Sequence, residues 1–255
     1  MDSLVINSYC PEPDLIAHAA ALARQKAPLI FPTDTVYGVG VAVVPGASPQ
    51  PLFALKGRTR DKAIAWLVAD VCALDIYGDE VPTYAFALAR AHWPGALTLV
   101  VRAKATVPEA FRAPDGSIAL RAPSHPIPLA LLKALGVPLA TTSANLQGEE
   151  PATSFSSLDE RLIERLIARL DAQQEPQHAA PPPSRRPADQ PPPSRPSTTP
   201  QPPSRPAAPP PNHPLALGID GGPTPGSLPS TVISCLEEHP RVIREGALSR
   251  ALLLH

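Results

Sequence analysis

Four groups of polar residues in this sequence have the types and spacing to do chemistry. Lys56-Gly57-Arg58-Thr59-Arg60-Asp61-Lys62 places four cations within seven residues. Such a run is usually a solvated face, but this one joins a short apolar segment to the strand-like Ile64-Ala65-Trp66-Leu67-Val68-Ala69, and anion sites are commonly built on such connections. Thr141-Thr142-Ser143-Ala144-Asn145 gathers hydroxyls and an amide at the end of an apolar run. Either these groups cap the next turn, or they cradle phosphate or ribose oxygens together with backbone amides. Thr33-Asp34-Thr35 follows Leu29-Ile30-Phe31-Pro32, where the proline removes a donor and holds Phe31 extended, so the strand is expected to end there and to expose the three polar residues at its edge. Arg121 interrupts the apolar strand Ser117 to Pro123 and calls for an anionic partner or an exposed edge. The chemistry common to all four is the holding of anions and of small polar groups.

The elements that must position these groups are legible from periodicity. Pro13-Asp14 opens a helix running to Arg24, and Pro51 to Leu55 reads as a short helix. A third helix spans Thr83 to His92 and stops at Trp93-Pro94-Gly95, giving way to the buried strand Ala96 to Val101. His18, His92 and Trp93 are read as solvated or packing residues. Pro128 to Leu135 is a helix ended by Gly136, and Ser156-Ser157 starts an amphipathic helix from Leu158 to Leu170. Gly38 and Gly40 allow a tight turn or the close approach of a ligand. Leu215 to Gly222, Ser230 to Ser234 and Arg241 to Gly246 read as strands that return to the sheet.

Between the helix and these late strands lies a segment of another kind. Of the 37 prolines in the 255 residues, 17 fall in 176–214, with almost no aliphatic residues among them. Such a composition cannot pack a core and is expected to be a mobile, locally polyproline-II spacer. Lengthening a closed loop from ~5 to ~40 residues costs only about 2 kcal/mol more, so a fold can carry it. The expected organisation is one domain over 1–255, with 176–214 inserted inside it. The segment carries Arg185, Arg186, Arg195 and Arg205 against Asp189, a local +3, so that the rest of the chain has a net charge of −4.

Composition removes several function classes. A mildly acidic body argues against coating nucleic acid by bulk charge. Cys10, Cys72 and Cys235 are odd in number and widely spaced, with no zinc-type pairing, and are read as structural thiols. The N-terminus lacks the pattern of a signal peptide and no apolar run is long enough to span a bilayer, so a cytoplasmic setting without membrane contact is expected.

Taken in order, Pro32-Thr33-Asp34-Thr35-Val36-Tyr37-Gly38, Lys56-Gly57-Arg58, Trp93-Pro94-Gly95, Ser143-Ala144-Asn145 with Gly148, Ser230-Thr231-Val232 and Arg244-Glu245-Gly246 resemble the YrdC-like threonylcarbamoyl-AMP synthases. The resemblance covers residues 12–173 and 215–248 and implies an α/β fold, a large twisted mixed sheet with flanking helices around a concave pocket. It also implies the joining of L-threonine, bicarbonate or CO2, and ATP into threonylcarbamoyl-AMP with release of pyrophosphate. The product feeds the tRNA threonylcarbamoyl transferase machinery, and tRNA itself is a further candidate partner.

By the same resemblance Thr35, Arg121, Thr141 and Ser230 bind threonine, and Lys56, Arg58, Lys62, Ser117, Ser143, Asn145 and Arg244 line the ATP site. Lys56 and Arg58 are the catalytic pair, neutralising the charge that gathers as a weak carbamate nucleophile attacks the α-phosphate. Magnesium arrives with the phosphates, and no dedicated metal site is expected. Thr59, Ala63 and Leu67 depart from the family pattern, Leu67 standing where many members have a histidine. Two other readings compete. A carbamoyl-adenylate-forming domain of the hydrogenase-maturation type would bring paired-cysteine zinc clusters, which this chain lacks, and a non-catalytic double-stranded RNA or tRNA module would want more positive charge than the body carries.

Overall fold

A computed structural model describes residues 2–55, 64–174 and 217–253. In chain order the elements are β1 (Asp2–Val5), α1 (Pro13–Arg24), β2 (Leu29–Phe31), β3 (Gly38–Ala42), α2 (Gln50–Leu55), β4 (Ala65–Leu67), α3 (Ala73–Tyr77) and α4 (Thr83–His92). They continue with β5 (Leu97–Arg102), β6 (Ser117–Arg121), α5 (Pro126–Leu135), β7 (Leu139–Ser143), α6 (Glu160–Gln174), β8 (Leu217–Asp220), β9 (Thr231–Ser234), β10 (Arg241–Arg244) and α7 (Arg250–Leu253).

The described strands form one ten-stranded mixed sheet in the order β1-β8-β2-β3-β7-β4-β6-β5-β9-β10. The strands that follow residues 176–214 enter it at two places. β8 lies parallel between β1 and β2, while β9 lies parallel beside β5 in the other half. The fold class expected from the sequence is therefore the fold observed.

Alternation along the strands divides the sheet into two faces. On one, Val39, Trp66, Leu99, Ile118 and Ile233 meet apolar residues of α2, α3, α4 and α6 in a single core. Trp66 anchors it, with its ring edge-on to Tyr77 and Phe111 at centroid distances of 5.3 and 5.6 Å. On the other face, Leu29, Phe31, Leu67, Leu139 and Ile219 pack under Ile16, Leu22, Leu131 and Leu132 of α1 and α5. Burying each such side chain contributes about 1.5–3 kcal/mol. These two helices cover only part of their face. Beyond them the sheet surface carries short side chains, Ala65, Ala119, Thr141, Ser117 and Ser230 among them, and these leave a hollow.

The structure corrects several local expectations. Thr33 and Thr35 are buried, at 4% and 1% exposure, and do not sit on an open edge. Gly38 and Gly40 lie inside β3 and not in a turn. A Cβ on Gly40 would come within 2.7 Å of Thr141 Oγ1, and one on Gly38 within 2.9 Å of Thr141 Cγ2, so these glycines let Thr141 lie across the neighbouring strand. The amphipathic helix begins at Glu160, two residues later than expected, because a 3-10 turn at Phe155–Ser157, closed by a capping box from Ser154, takes up the serines. Helix α5 starts two residues early because His125 caps it, its Nδ1 accepting from Ile127 N at 3.2 Å. Of the three thiols only Cys235 is buried. Among the described residues no helix is long and apolar enough to cross a membrane. The proline-rich segment lies outside them.

Candidate functional site

The centre of the site is Arg121, the last residue of β6. Its side chain is 7% exposed, and three of its N–H groups are held. Nη2 donates to Asp34 Oδ1 at 2.7 Å, Nη1 to Thr35 Oγ1 at 3.1 Å, and Nε to the Gly95 carbonyl at 3.0 Å. The anionic partner that an arginine in an apolar strand requires is thus Asp34, 87 residues away in sequence. Trp93-Pro94-Gly95 contributes through its backbone: Gly95 N donates to Ala122 O, and its carbonyl holds Arg121.

The turn bearing Asp34 is set by Thr33. Its Oγ1 donates to Val36 O at 2.7 Å and accepts from the amides of Thr35 and Val36 at 3.2 Å each. With that hydrogen committed, the 3.0 Å contact between Thr33 and Thr35 makes the Thr35 hydroxyl the donor, while it accepts from Arg121. The hydroxyl of Tyr37 donates to Gly222 O at 2.7 Å, and this latch closes the chain following β8 over the same turn. Burial pushes the Tyr37 phenol up to about 12, so it stays protonated and keeps donating. Gly226 lies so close that a Cβ there would meet Asp34 O at 3.0 Å and Thr35 Cα at 3.2 Å.

Arg121 looks into a cavity of about 790 Å³, within the range of small-molecule sites. Thr35, bonded to the guanidinium, lines it, as do Thr141 and Ser230. Ser117, Ser143 and Arg244 line it as well, so seven of the residues named from the sequence converge on one hollow. Arg244 stands at the exposed mouth, donating to Ser230 O at 2.8 Å. Asn145 is not among the lining residues. It sits behind Ser143, whose hydroxyl donates to Asn145 Oδ1 at 2.6 Å. Lys56, Arg58 and Lys62 lie outside the described residues. Leu67, the departure from the family pattern, lines the cavity as a buried apolar wall.

Three polar residues escaped the sequence reading. Thr98 Oγ1 lies 2.8 Å from Ser230 Oγ, both buried. A lone hydroxyl in the run Leu97 to Val101 was the available signal. Asp115 lines the cavity next to Ser117, and hydrogen bonding from Ser117 holds its carboxyl below the usual carboxylate range. Ser234 belongs to the cavity lining, and its Oγ is buried with no hydrogen-bond partner among the described residues. No cluster of metal-binding side chains occurs among the described residues. The arrangement can bind a carboxylate at Arg121 and a larger, oxygen-rich group along the rest of the cavity.

Comparison with known proteins identifies relatives across most of the chain. The family model for Sua5/YciO/YrdC proteins, described as "Telomere recombination", matches residues 21–181. A threonylcarbamoyl-AMP synthase of Bacillus subtilis is 30% identical over 239 residues, 92% of this chain and 54% of that protein. A threonylcarbamoyl-AMP synthase of Xanthomonas campestris is 34% identical over 166 residues, 63% of this chain and 87% of that protein. The crystal structure of Pyrococcus abyssi Sua5 complexed with L-threonine superposes with a TM-score of 0.70 at 25% identity, covering 97% of this chain and 58% of that one. The chain thus spans about half the length of the Bacillus relative. With the family model matched over most of the chain and a threonylcarbamoyl-AMP synthase of Xanthomonas campestris 34% identical over 87% of its length, this chain belongs to the Sua5/YciO/YrdC family.

Proposed function

We propose that this chain makes L-threonylcarbamoyl-AMP from L-threonine, bicarbonate or CO2, and ATP, as a nucleotidyltransferase acting in the cytoplasm. The observation that carries this reading is the convergence of Arg121, Thr35, Thr141 and Ser230 on the lining of one cavity too large for an amino acid alone. The likeness to threonylcarbamoyl-AMP synthases and to a Sua5 complexed with L-threonine supports it.

In this reading the guanidinium of Arg121 takes the threonine carboxylate, and the hydroxyls of Thr35, Thr141 and Ser230 orient the rest of the amino acid. Ser117, Ser143 and Arg244 hold the nucleotide, with Asn145 acting through Ser143. Lys56, Arg58 and Lys62 face the phosphates, and magnesium enters with them. A carbamate oxygen on threonine forms a bond to the α-phosphorus, the α–β phosphoanhydride bond breaks, and pyrophosphate leaves with its electron pair. The enzyme's part is positioning and charge neutralisation. Downstream, a threonylcarbamoyl transferase consumes the product on tRNA. Residues 176–214 form an insertion within one domain, a reading supported by the return of β8 and β9 to opposite halves of the sheet.

Pyrophosphate release tests the assignment. It should require L-threonine, bicarbonate and ATP together, with L-serine a poorer substrate by the worth of one methyl, about 1–3 kcal/mol. Absence of release from a folded chain that binds tRNA would instead favour an RNA-binding module.

A further inference from the structure

Arg121 lines the cavity and Asp34 does not. The Asp34 carboxylate lies 2.7 Å from Nη2 of the guanidinium, on a side chain only 9% exposed. Its place in the turn is secured by the Thr33 hydroxyl, which binds the amides on the far side of it. A guanidinium has five N–H groups. Among the described residues Asp34, Thr35 and Gly95 take one from each nitrogen, which leaves one on each terminal nitrogen for a ligand.

We propose that Asp34 is a positioning residue that aims Arg121 at the carboxylate of the amino-acid substrate. This rests on the reading of Arg121 as the carboxylate-binding group. Arginine reaches its guanidinium through a long rotatable stem, and a buried guanidinium with no counter-charge is driven to find one. Asp34, which is not part of the cavity lining, supplies that charge. The planar group is thereby held with its remaining donors turned toward the ligand, and its order is established before binding instead of at the cost of affinity. Asp34 is not among the residues that line the cavity, so its effect on the substrate runs through Arg121. Its removal therefore acts on threonine binding and leaves ATP handling alone.

The test is Asp34→Asn, which keeps the size and an acceptor oxygen while removing the charge. Threonine binding by titration calorimetry without ATP should weaken about tenfold, the worth of a charge-assisted hydrogen bond. The KM for threonine should rise alongside, with the KM for ATP and kcat little changed. In an Arg121→Met background, the same substitution should add no further loss, because Asp34 acts through the guanidinium. Asp34→Glu, which restores the charge, should recover part of the affinity, and this arm serves if Asp34→Asn fails to fold. Equal threonine affinity in wild type and Asp34→Asn, tighter binding by the variant, or an undiminished effect in the Arg121→Met background would each overturn the positioning role alone. A folded wild-type chain that binds no threonine would overturn the reading of the site, and the positioning role with it.

Discussion

The hydroxyls of Thr98 and Ser230, 132 residues apart in sequence, lie 2.8 Å from each other and tie β5 to the residue that enters β9. Ser230 is held on its other side by Arg244, which donates to its carbonyl at 2.8 Å. Replacing Thr98 by Val deletes one hydroxyl with little change of shape. The loss of about 1 kcal/mol corresponds to roughly a fivefold change in an equilibrium. The KM for threonine should rise by about that factor, as Ser230 loses its aim, and steady-state kinetics at saturating ATP will measure it.

Gly246 touches the same loop through its backbone. A Cβ there would lie 2.1 Å from the Pro229 carbonyl oxygen and 2.7 Å from the Ser230 carbonyl carbon, so Gly246→Ala must push the Ser230 segment away. We expect a loss above about 2 kcal/mol in urea denaturation, together with weakened threonine binding. Gly136→Ala is the control. That glycine ends α5 at φ 68° with nothing within 4 Å of a Cβ, so alanine should cost about 1 kcal/mol and leave the KM for threonine alone.

His125 makes stability depend on pH. Burial lowers its pKa, an effect opposed by the charge of Asp34, and its unprotonated Nδ1 accepts from Ile127 N to cap α5. A histidine depressed in the folded state favours folding above its unfolded value of about 6.5 and loses that contribution as pH falls through the folded value. Thermal melts should therefore drop more between pH 7.5 and 5 for wild type than for His125→Asn, which keeps a capping side chain and does not titrate.

Lys56→Ala and Arg58→Ala should each lose most of the pyrophosphate release while melting close to wild type, because in the sequence both stand in a polar run with no large apolar residue. Calorimetric melts and single-turnover assays separate these two quantities. Unfolding of both variants would make the cations structural.

Deleting 176–214 and joining the ends with a short flexible linker should leave pyrophosphate release nearly intact, because the segment has no apolar surface to bury and the site motifs lie outside it. The shortened loop should be modestly stabilising, at about 0.6 kcal/mol per halving of length. Any tRNA binding should weaken with the loss of the local +3 and show a shallower salt dependence. Loss of pyrophosphate release from a folded body would assign the segment to the active site.

Most strands and most helices were legible because each is a local pattern; β1 and the glycine-containing β3 were not. Leu29 to Phe31 ends at a proline, Pro126 to Leu135 ends at a glycine with positive φ, and Thr83 to His92 has the spacing of a helix. The need of Arg121 for an anion was equally legible, since the cost of burying a charge does not depend on where its partner lies. The identity of that partner was not. Asp34 meets Arg121 only because β2, which leads into the Asp34 turn, and β6 are brought into one sheet, with β3, β7 and β4 between them, and strand order is set by long-range pairing that no local window records. The same holds for Thr98 against Ser230 and for Thr141 lying across Gly38 and Gly40. The sequence by itself determined which residues carry polar chemistry and most of the segments that form the sheet, β1 and β3 excepted. Tertiary structure alone decided the hollow, which exists where α1 and α5 stop covering a face of short side chains, and decided which polar groups meet across it.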